Sequence, residues 1–246
     1  IALSNLRVTK WVDEEAQPLA VGSVRLRVDA CALTANNVTY AAFGGEPMHY
    51  WQFFPSGDDG WGRVPVWGFA TVTESSVEGV PVGKRLWGYY PASDTLDVTP
   101  VRVDASGFMD GAAHRQGLAP IYNTYYFTDT DPAYDAGYEP QQMLFRPLYA
   151  TGWWLADTLT EGTHAPLAYV AMSSASSKTA LALAHALKSN DGPKTIGVTS
   201  SRNKACVEAS GLYDQTVTYD EIETLDASAS PGGYVDFMGS PRWATD

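Results

Sequence analysis

Cysteine is scarce: the chain has two, Cys31 and Cys206, in 246 residues. They fall in different segments without CxxC or Cys/His spacing, so neither a disulfide framework nor a zinc knuckle organises the fold, and buried thiols in a reducing cytoplasm are expected. Positive charge is also short. Sixteen Lys and Arg stand against 28 Asp and Glu, a net charge of −12. That balance argues against nucleic acid or an anionic membrane as the main partner, and an anionic small ligand would need its own local cluster of positive groups. No apolar run reaches the roughly 18 residues that cross a bilayer. The start, IALSNLRVTK, lacks the basic-then-apolar layout of a leader, so a soluble, cytoplasmic protein is expected. The four histidines, His49, His114, His164 and His185, show no ligand spacing, and no metal site is expected.

What is present suffices for one large or two ordinary globular domains, with 45% hydrophobic and only 18% charged residues. The pattern changes near residue 150. Before it, Val24–Val28, Val64–Val66, Ala70–Thr73, Arg85–Tyr89 and Val98–Val103 are short β-rich runs separated by Gly, Pro and Asp, the spacing of an antiparallel or barrel-like domain over residues 1–150. After it, over residues 151–246, strands alternate with helices. Leu167–Met172 and Thr195–Thr199 each precede a helix, the second ending near Gly211, and Gln215–Tyr219 and Tyr234–Met238 are further strands. Such alternation implies a parallel, doubly wound sheet.

The stretch VAMSSASSKTALALAHAL, residues 170–187, concentrates the chemistry. Ala180, Leu181, Leu183, Ala184 and Leu187 recur at helical spacing, which predicts a helix from about Ser177, capped by Ser176 or Ser177. A helix start directly after a strand is an anion site, because its first N–H groups and its dipole point into the gap. The plainer alternative is a serine cap with Lys178 in solvent. A P-loop needs GxxxxGK[ST]; Lys178 and Thr179 fit, but Met172 and Ser177 stand where it has glycine, and left-handed backbone there is disfavoured. A dinucleotide-binding turn also prefers glycine yet tolerates small substitutes when the pyrophosphate sits further out. The next strand ends in VTSSRNK, which offers Ser200, Ser201, Arg202 and Lys204 where an NAD site would place a carboxylate. Hydroxyls and a bidentate guanidinium suit a 2′-phosphate, so NADPH is the expected cofactor. An ordinary polar loop with two surface cations is the alternative.

These residues resemble the medium-chain dehydrogenase/reductase superfamily, in its zinc-independent quinone or enoyl reductase branch, and SSASSKTA is similar more narrowly to the DUF2855 group. VRLRVDACALTANNVTYAAFGG resembles the opening of a GroES-like catalytic domain. VPVWGFATVTESSVEGVPVGKRLWGYYP resembles its next hairpin, with Gly83-Lys84-Arg85-Leu86 at a G-D-R-V motif. PLYATGWWLADTL resembles the helix entering the cofactor domain, and Ala168–Tyr219 its first three strands. The resemblance implies a GroES-like β-rich domain followed by a Rossmann-type parallel sheet, apparently truncated after YVDFMGSPRWATD. It implies cofactor contacts from Ser173, Ser174, Ser176, Ser177, Lys178, Thr179, Ser200, Ser201, Arg202, Lys204, Tyr219 and Gly239, with Ser173, Ser176 and Thr179 at the glycine positions of the family turn. Zinc-dependent relatives carry a Cys and a His-Glu pair; here Cys31 stands near the first, but Trp67-Gly68 lie at the second, so no catalytic zinc is implied.

The chemistry implied is hydride transfer from NADPH to a polarised C=C or C=O, with a hydrogen-bond donor stabilising the developing enolate. Tyr40, with Asn36 and Asn37 one turn earlier, sits in the segment that faces the nicotinamide in relatives, and Tyr40 and Asn37 are the catalytic candidates. Amphipathic core packing for Tyr40 and turn formation for the asparagines are the competing assignments. Tyr122, Asn123 and Tyr125 in PIYNTYYF are second candidates, with an aromatic-core alternative. Aromatic content of 12%, including Trp51, Phe53, Phe54, Trp153 and Trp154, hints at an apolar cleft. The expected partners are a small apolar conjugated carbonyl and a second copy of the chain in a homodimer. A non-catalytic NADPH-binding or redox-sensing protein is the second hypothesis, and a P-loop phosphotransferase, which predicts Mg-ATP binding, the third.

Overall fold

Strict alternation builds the first half of the chain. In β2 (Pro65–Ser75) and β3 (Arg85–Pro91), Val66, Ala70, Val72, Leu86 and Tyr90 turn to one core and Trp67, Phe69, Trp87 and Tyr89 to another. A strand places successive side chains on opposite faces. WGFATV and RLWGYY therefore sort the aliphatic residues and Tyr90 to one side of the sheet and the other aromatic residues to the opposite side. With β1 (Val24–Ala32), β4 (Thr95–Val98), β5 (Pro100–Val101), β6 (Gly107–Asp110) and β7 (Thr124–Phe127) they form a seven-stranded antiparallel sheet, in the order β4-β1-β2-β3-β7-β6-β5. On the aromatic side Trp67 and Trp87 stack, with ring centroids 5.6 Å apart and planes 13° from parallel. Each such side chain, fully buried, contributes about 1.5–3 kcal/mol. The computed structural model describes residues 1–15, 17–161, 166–225 and 231–239.

Three sequence expectations change here. Val64–Val66 and Ala70–Thr73 belong to one strand, because Gly68 does not break it: a Cβ there would lie 2.1 Å from the Ala30 carbonyl oxygen, so glycine permits the close approach of β1. At that point β1 is bulged between Val28 and Ala30. The expected strand Val98–Val103 divides into β4 and β5, and it ends at Arg102, whose φ is 52°. Both cysteines are exposed, not buried. Beyond the bulge β1 buries no residue fully, and Cys31 falls on its outward phase; Cys206 lies on the outer side of its helix, next to buried Val207.

The chain divides into units Ile1–Met143 and Leu144–Asp246, and α2 (Glu139–Glu161) runs across the division. In the second unit β8 (Tyr169–Met172), β9 (Lys194–Thr199), β10 (Gln215–Thr218) and β11 (Gly232–Val235) form a parallel sheet ordered β10-β9-β8-β11. α3 (Lys178–Ser189) connects β8 to β9, and α4 (Lys204–Ala209) connects β9 to β10. Ala184, Ala186, Leu183 and Leu187 of α3 share a core with Ala156 of α2 and Val170 and Met172 of β8. Gly152 allows α2 to close on α3, since a Cβ there would sit 2.7 Å from the Ala182 methyl. Among the described residues no helix is long and apolar enough to cross a membrane.

Candidate functional site

The strand order read along the chain is third, second, first, fourth, so the direction of winding reverses between β8 and β11. Ligands of open parallel sheets bind beyond the carboxyl ends of strands at such a reversal, and the serine loop lies there. Ser177 is the cap of α3, its hydroxyl accepting from the Ala180 amide at 3.3 Å. The Ser177 amide donates to the Ser174 carbonyl and the Ala175 amide to Val198. Ser174 takes a φ of 49°. The left-handed residue is thus a serine that stands at none of the expected glycine positions, and its amide donates to the Tyr219 hydroxyl at 2.8 Å. Among the described residues the amides of Ser176, Lys178 and Thr179 find no acceptor in the chain. These are the orphan donors of a helix start, converging where the dipole is positive.

The hydroxyls are arranged otherwise. Ser173 is fully buried, donates to the Asp236 carboxylate, and accepts from the amides of Phe237 and Met238 at 2.8 and 3.1 Å. Asp236 in turn accepts from the amides of Met238 and Gly239 at 2.9 and 3.1 Å, which turns the chain back and ends β11 at Val235. Ser173 therefore clasps β8 to β11 across the reversal. Ser176 accepts from the Asn203 side-chain amide at 3.0 Å. Lys178 and Thr179 open α3 and are half-buried. Met172, at the first glycine position of a P-loop, is the fully buried last residue of β8. The turn to α3 then takes the five residues Ser173–Ser177, so the glycine-bounded wrap of that motif has no counterpart.

At the end of β9, Ser200, Ser201 and Arg202 are exposed, and Arg202 has no ion pair among the described residues. Lys204 differs. Its ammonium binds Glu221 at 2.8 Å, and Glu221 also accepts from the Thr218 amide, closing the turn after β10. Lys204 holds the Glu221 carboxyl down to about 2. Sequence reading missed this carboxylate, although Thr218-Tyr219-Asp220-Glu221 has the T-x-x-E form of a capping box. Asp236 and Asn203 were missed as well; neither carries a local signal.

In the first unit Tyr40 is buried on α1 (Ala35–Ala42), and its hydroxyl accepts from the Trp67 indole at 3.0 Å. Burial pushes its phenol up to about 12. Asn37 is engaged on both sides: its oxygen accepts from the Thr34 amide at 2.6 Å and its nitrogen donates to the Pro65 carbonyl at 2.7 Å. It closes the cap of α1 and pins that helix to β2. Cys31 pairs with Gly68 and Ala32 with Trp67 across β1 and β2, so the positions that hold zinc ligands in relatives adjoin but carry one thiol and an indole. Among the described residues no group of three His, Cys, Asp or Glu gathers; His164 lies outside them. Tyr122 packs with Tyr40, Asn123 donates to the Arg115 carbonyl, and Tyr125 bridges Arg115 and the Tyr89 carbonyl.

Several solved structures share this fold. The quinone oxidoreductase of Pseudomonas syringae pv. tomato DC3000 matches at TM-score 0.52 and 16% identity, over 85% of this chain and 54% of that one. Escherichia coli quinone oxidoreductase complexed with NADPH matches at 0.52 and 13%, over 85% and 54%. CurA from Vibrio vulnificus in complex with NADPH matches at 0.53 and 11%, over 86% and 53%. The chain thus spans about half the length of these structures, and the likeness shows its fold: a GroES-like β-rich unit followed by a Rossmann-type parallel sheet. No curated protein sequence matches the chain. A family model described as "Protein of unknown function (DUF2855)" matches residues 31–245, and the chain belongs to that family.

Proposed function

We propose that the chain is an NADPH-dependent reductase that transfers hydride to a conjugated carbonyl, an enone, quinone or enoyl-type compound, without zinc. The observation that carries this reading is the set of unpaired amides at Ser176, Lys178 and Thr179, at the capped start of α3 and beside the reversal of the sheet. They fit the pyrophosphate of a dinucleotide, and similarly folded proteins are named as NADPH complexes. Arg202, Ser200 and Ser201 supply a cation and two hydroxyls for a 2′-phosphate. The nicotinamide, when bound, supplies the hydride. Tyr40 serves the oxygen of the substrate: Trp67 and Asn36 both hold the phenol in place, and burial, which raises it to about 12, keeps its proton at neutral pH. Asn37 positions it by fixing α1. Trp67-Gly68, in place of zinc ligands, accords with a metal-free route.

Oxidation of NADPH with a panel of enones and quinones, measured beside NADPH binding in their absence, is the test. Turnover is the expected result, and failure to bind NADPH would sink the proposal. Tight binding without turnover would favour the second reading, a non-catalytic NADPH-binding or redox-sensing protein. That reading has its own support: the hydroxyls of Ser173 and Ser176 and the ammonium of Lys204 already have partners inside the chain.

A further inference from the structure

Tyr122 is surrounded by rings. Its centroid lies 4.8 Å from Tyr89, 5.3 Å from Phe53, 5.6 Å from Tyr50, 5.8 Å from Trp67 and 6.4 Å from Tyr40. The five enclosing rings come from four stretches of the first unit, with Tyr50 and Phe53 in one of them, and each is at most 9% exposed. Tyr122 is half-buried and is carried on a three-residue turn, Pro120–Tyr122, that has no side-chain cap and follows Gly117 at φ 82°. Its hydroxyl pairs with that of Tyr50 at 3.2 Å. Tyr40 is on α1, Trp67 and Tyr89 are in the sheet, and Tyr50 and Phe53 come from a second short turn; of the six rings Tyr122 alone is not fully enclosed.

A second observation points to a ligand. The Tyr89 hydroxyl is fully buried and has no hydrogen-bond partner among the described residues, a state that costs about 1–3 kcal/mol. The Tyr89 ring lies 4.8 Å from that of Tyr122 and 5.5 Å from that of Tyr40. The phenolic groups offer hydrogen-bond donors, since the Tyr89 hydroxyl keeps its proton unused and the Tyr50–Tyr122 pair shares one of two. An aromatic enclosure often takes a cation. Here the Arg115 guanidinium, 1% exposed, lies 4.6 Å from the Phe54 ring and pairs with the buried Asp110 carboxylate at 3.2 Å, so the cation that these rings take is already in place and already neutralised.

We propose that the space bounded by Tyr40, Tyr50, Phe53, Trp67 and Tyr89 is a binding site for a neutral, planar six-membered ring bearing a hydrogen-bonding oxygen, and that Tyr122 occupies it as an internal surrogate which such a ligand displaces. Through Tyr40 the proposal rests on the reductase reading and names the shape of its substrate. Binding of a redox-inert phenol, measured without cofactor or turnover, lets either fail alone.

The probe is p-cresol, which has the ring and hydroxyl of Tyr122 itself. In full-length protein labelled with 3-fluorotyrosine, with Tyr122→Phe used for assignment, saturating p-cresol moves the fluorine resonance of residue 122 to the position of an exposed tyrosine. Tyr122→Ala removes the competing ring and tightens p-cresol by at least roughly tenfold. Toluene binds that variant about fivefold more weakly than p-cresol, because it makes no hydrogen bond. A residue-122 resonance unmoved by p-cresol up to its solubility would overturn the proposal, and this readout stands even where Tyr122→Ala does not fold. Equal binding of toluene and p-cresol, or displacement of Tyr122 by tetramethylammonium instead, would overturn it as well. Displacement of Tyr122 in a protein that reduces no enone leaves the ring site standing and removes the reductase.

Discussion

At the scale of single residues, Arg202 and Lys204 illustrate how much a side chain's partner matters. Both stood in the sequence as cations for a 2′-phosphate, yet only Arg202 is without an ion pair among the described residues, and Lys204 is held by Glu221. Hydrogen bonds to charged groups contribute about 1.5–3 kcal/mol, so Arg202→Ala is expected to weaken NADPH by roughly 10- to 100-fold while NADH changes little. Lys204→Ala should move the ratio less. Equal losses for both cofactors, measured by titration, would place Arg202 in support of the fold, and a wild-type preference for NADH would remove the assignment of this strand end. Tyr40 carries the other residue-scale expectation. Tyr40→Phe should lower turnover by about 10²–10⁴-fold with NADPH affinity unchanged, as loss of a proton donor does. A loss below roughly threefold in steady-state rates would transfer the role to water or another group.

Among the elements, the start of α3 was legible because a capping hydroxyl followed by apolar residues at helical spacing is a local signal, and Ser177 is that cap. The left-handed Ser174 was not legible, since nothing beside it in sequence shows that Tyr219 takes its amide. Gly68 misled in the opposite direction: glycine between short apolar runs looks like a turn, whereas its role is to admit a neighbouring strand that sequence does not place. β6 and β7 went unseen for a related reason, being four residues each and paired with one another. Gly68→Ala should therefore destabilise the first unit strongly, because the methyl would press on the Ala30 backbone and not on a flexible side chain. A melting temperature within a degree or so of wild type would show that β1 gives way cheaply. Ser173→Ala leaves the Phe237 amide without its acceptor and the Met238 amide with Asp236 alone, and should cost about 1–3 kcal/mol. Hydrogen exchange at those two amides should accelerate before exchange at Val170 and Ala171 does. Unchanged protection there would mean that Asp236 alone holds the turn.

For the molecule as a whole, buried phenols dominate the response to alkali. Burial raises Tyr40 and Tyr125 from 10.0 to about 12, and it also raises Tyr89, Tyr90, Tyr122 and Tyr213. The folded state thus holds these protons more tightly than the unfolded chain. Their contribution is fully present below the ordinary phenol value and is lost as pH rises through the raised ones. Denaturant midpoints should be flat up to about pH 10 and fall steeply from there to about pH 12. Tyrosinate absorbance should appear in one cooperative step with unfolding; smooth titration of all phenols in the folded protein would contradict the enclosure described for them. The stacked pair Trp67 and Trp87 has a different use. Two indoles 5.6 Å apart and 13° from parallel have coupled transition dipoles, so their circular dichroism is an exciton signal belonging to one face of one sheet. The protein carries an optical marker for its aromatic side, separable from the backbone signal of its helices, by which a ring entering beside Trp67 can be followed without any label.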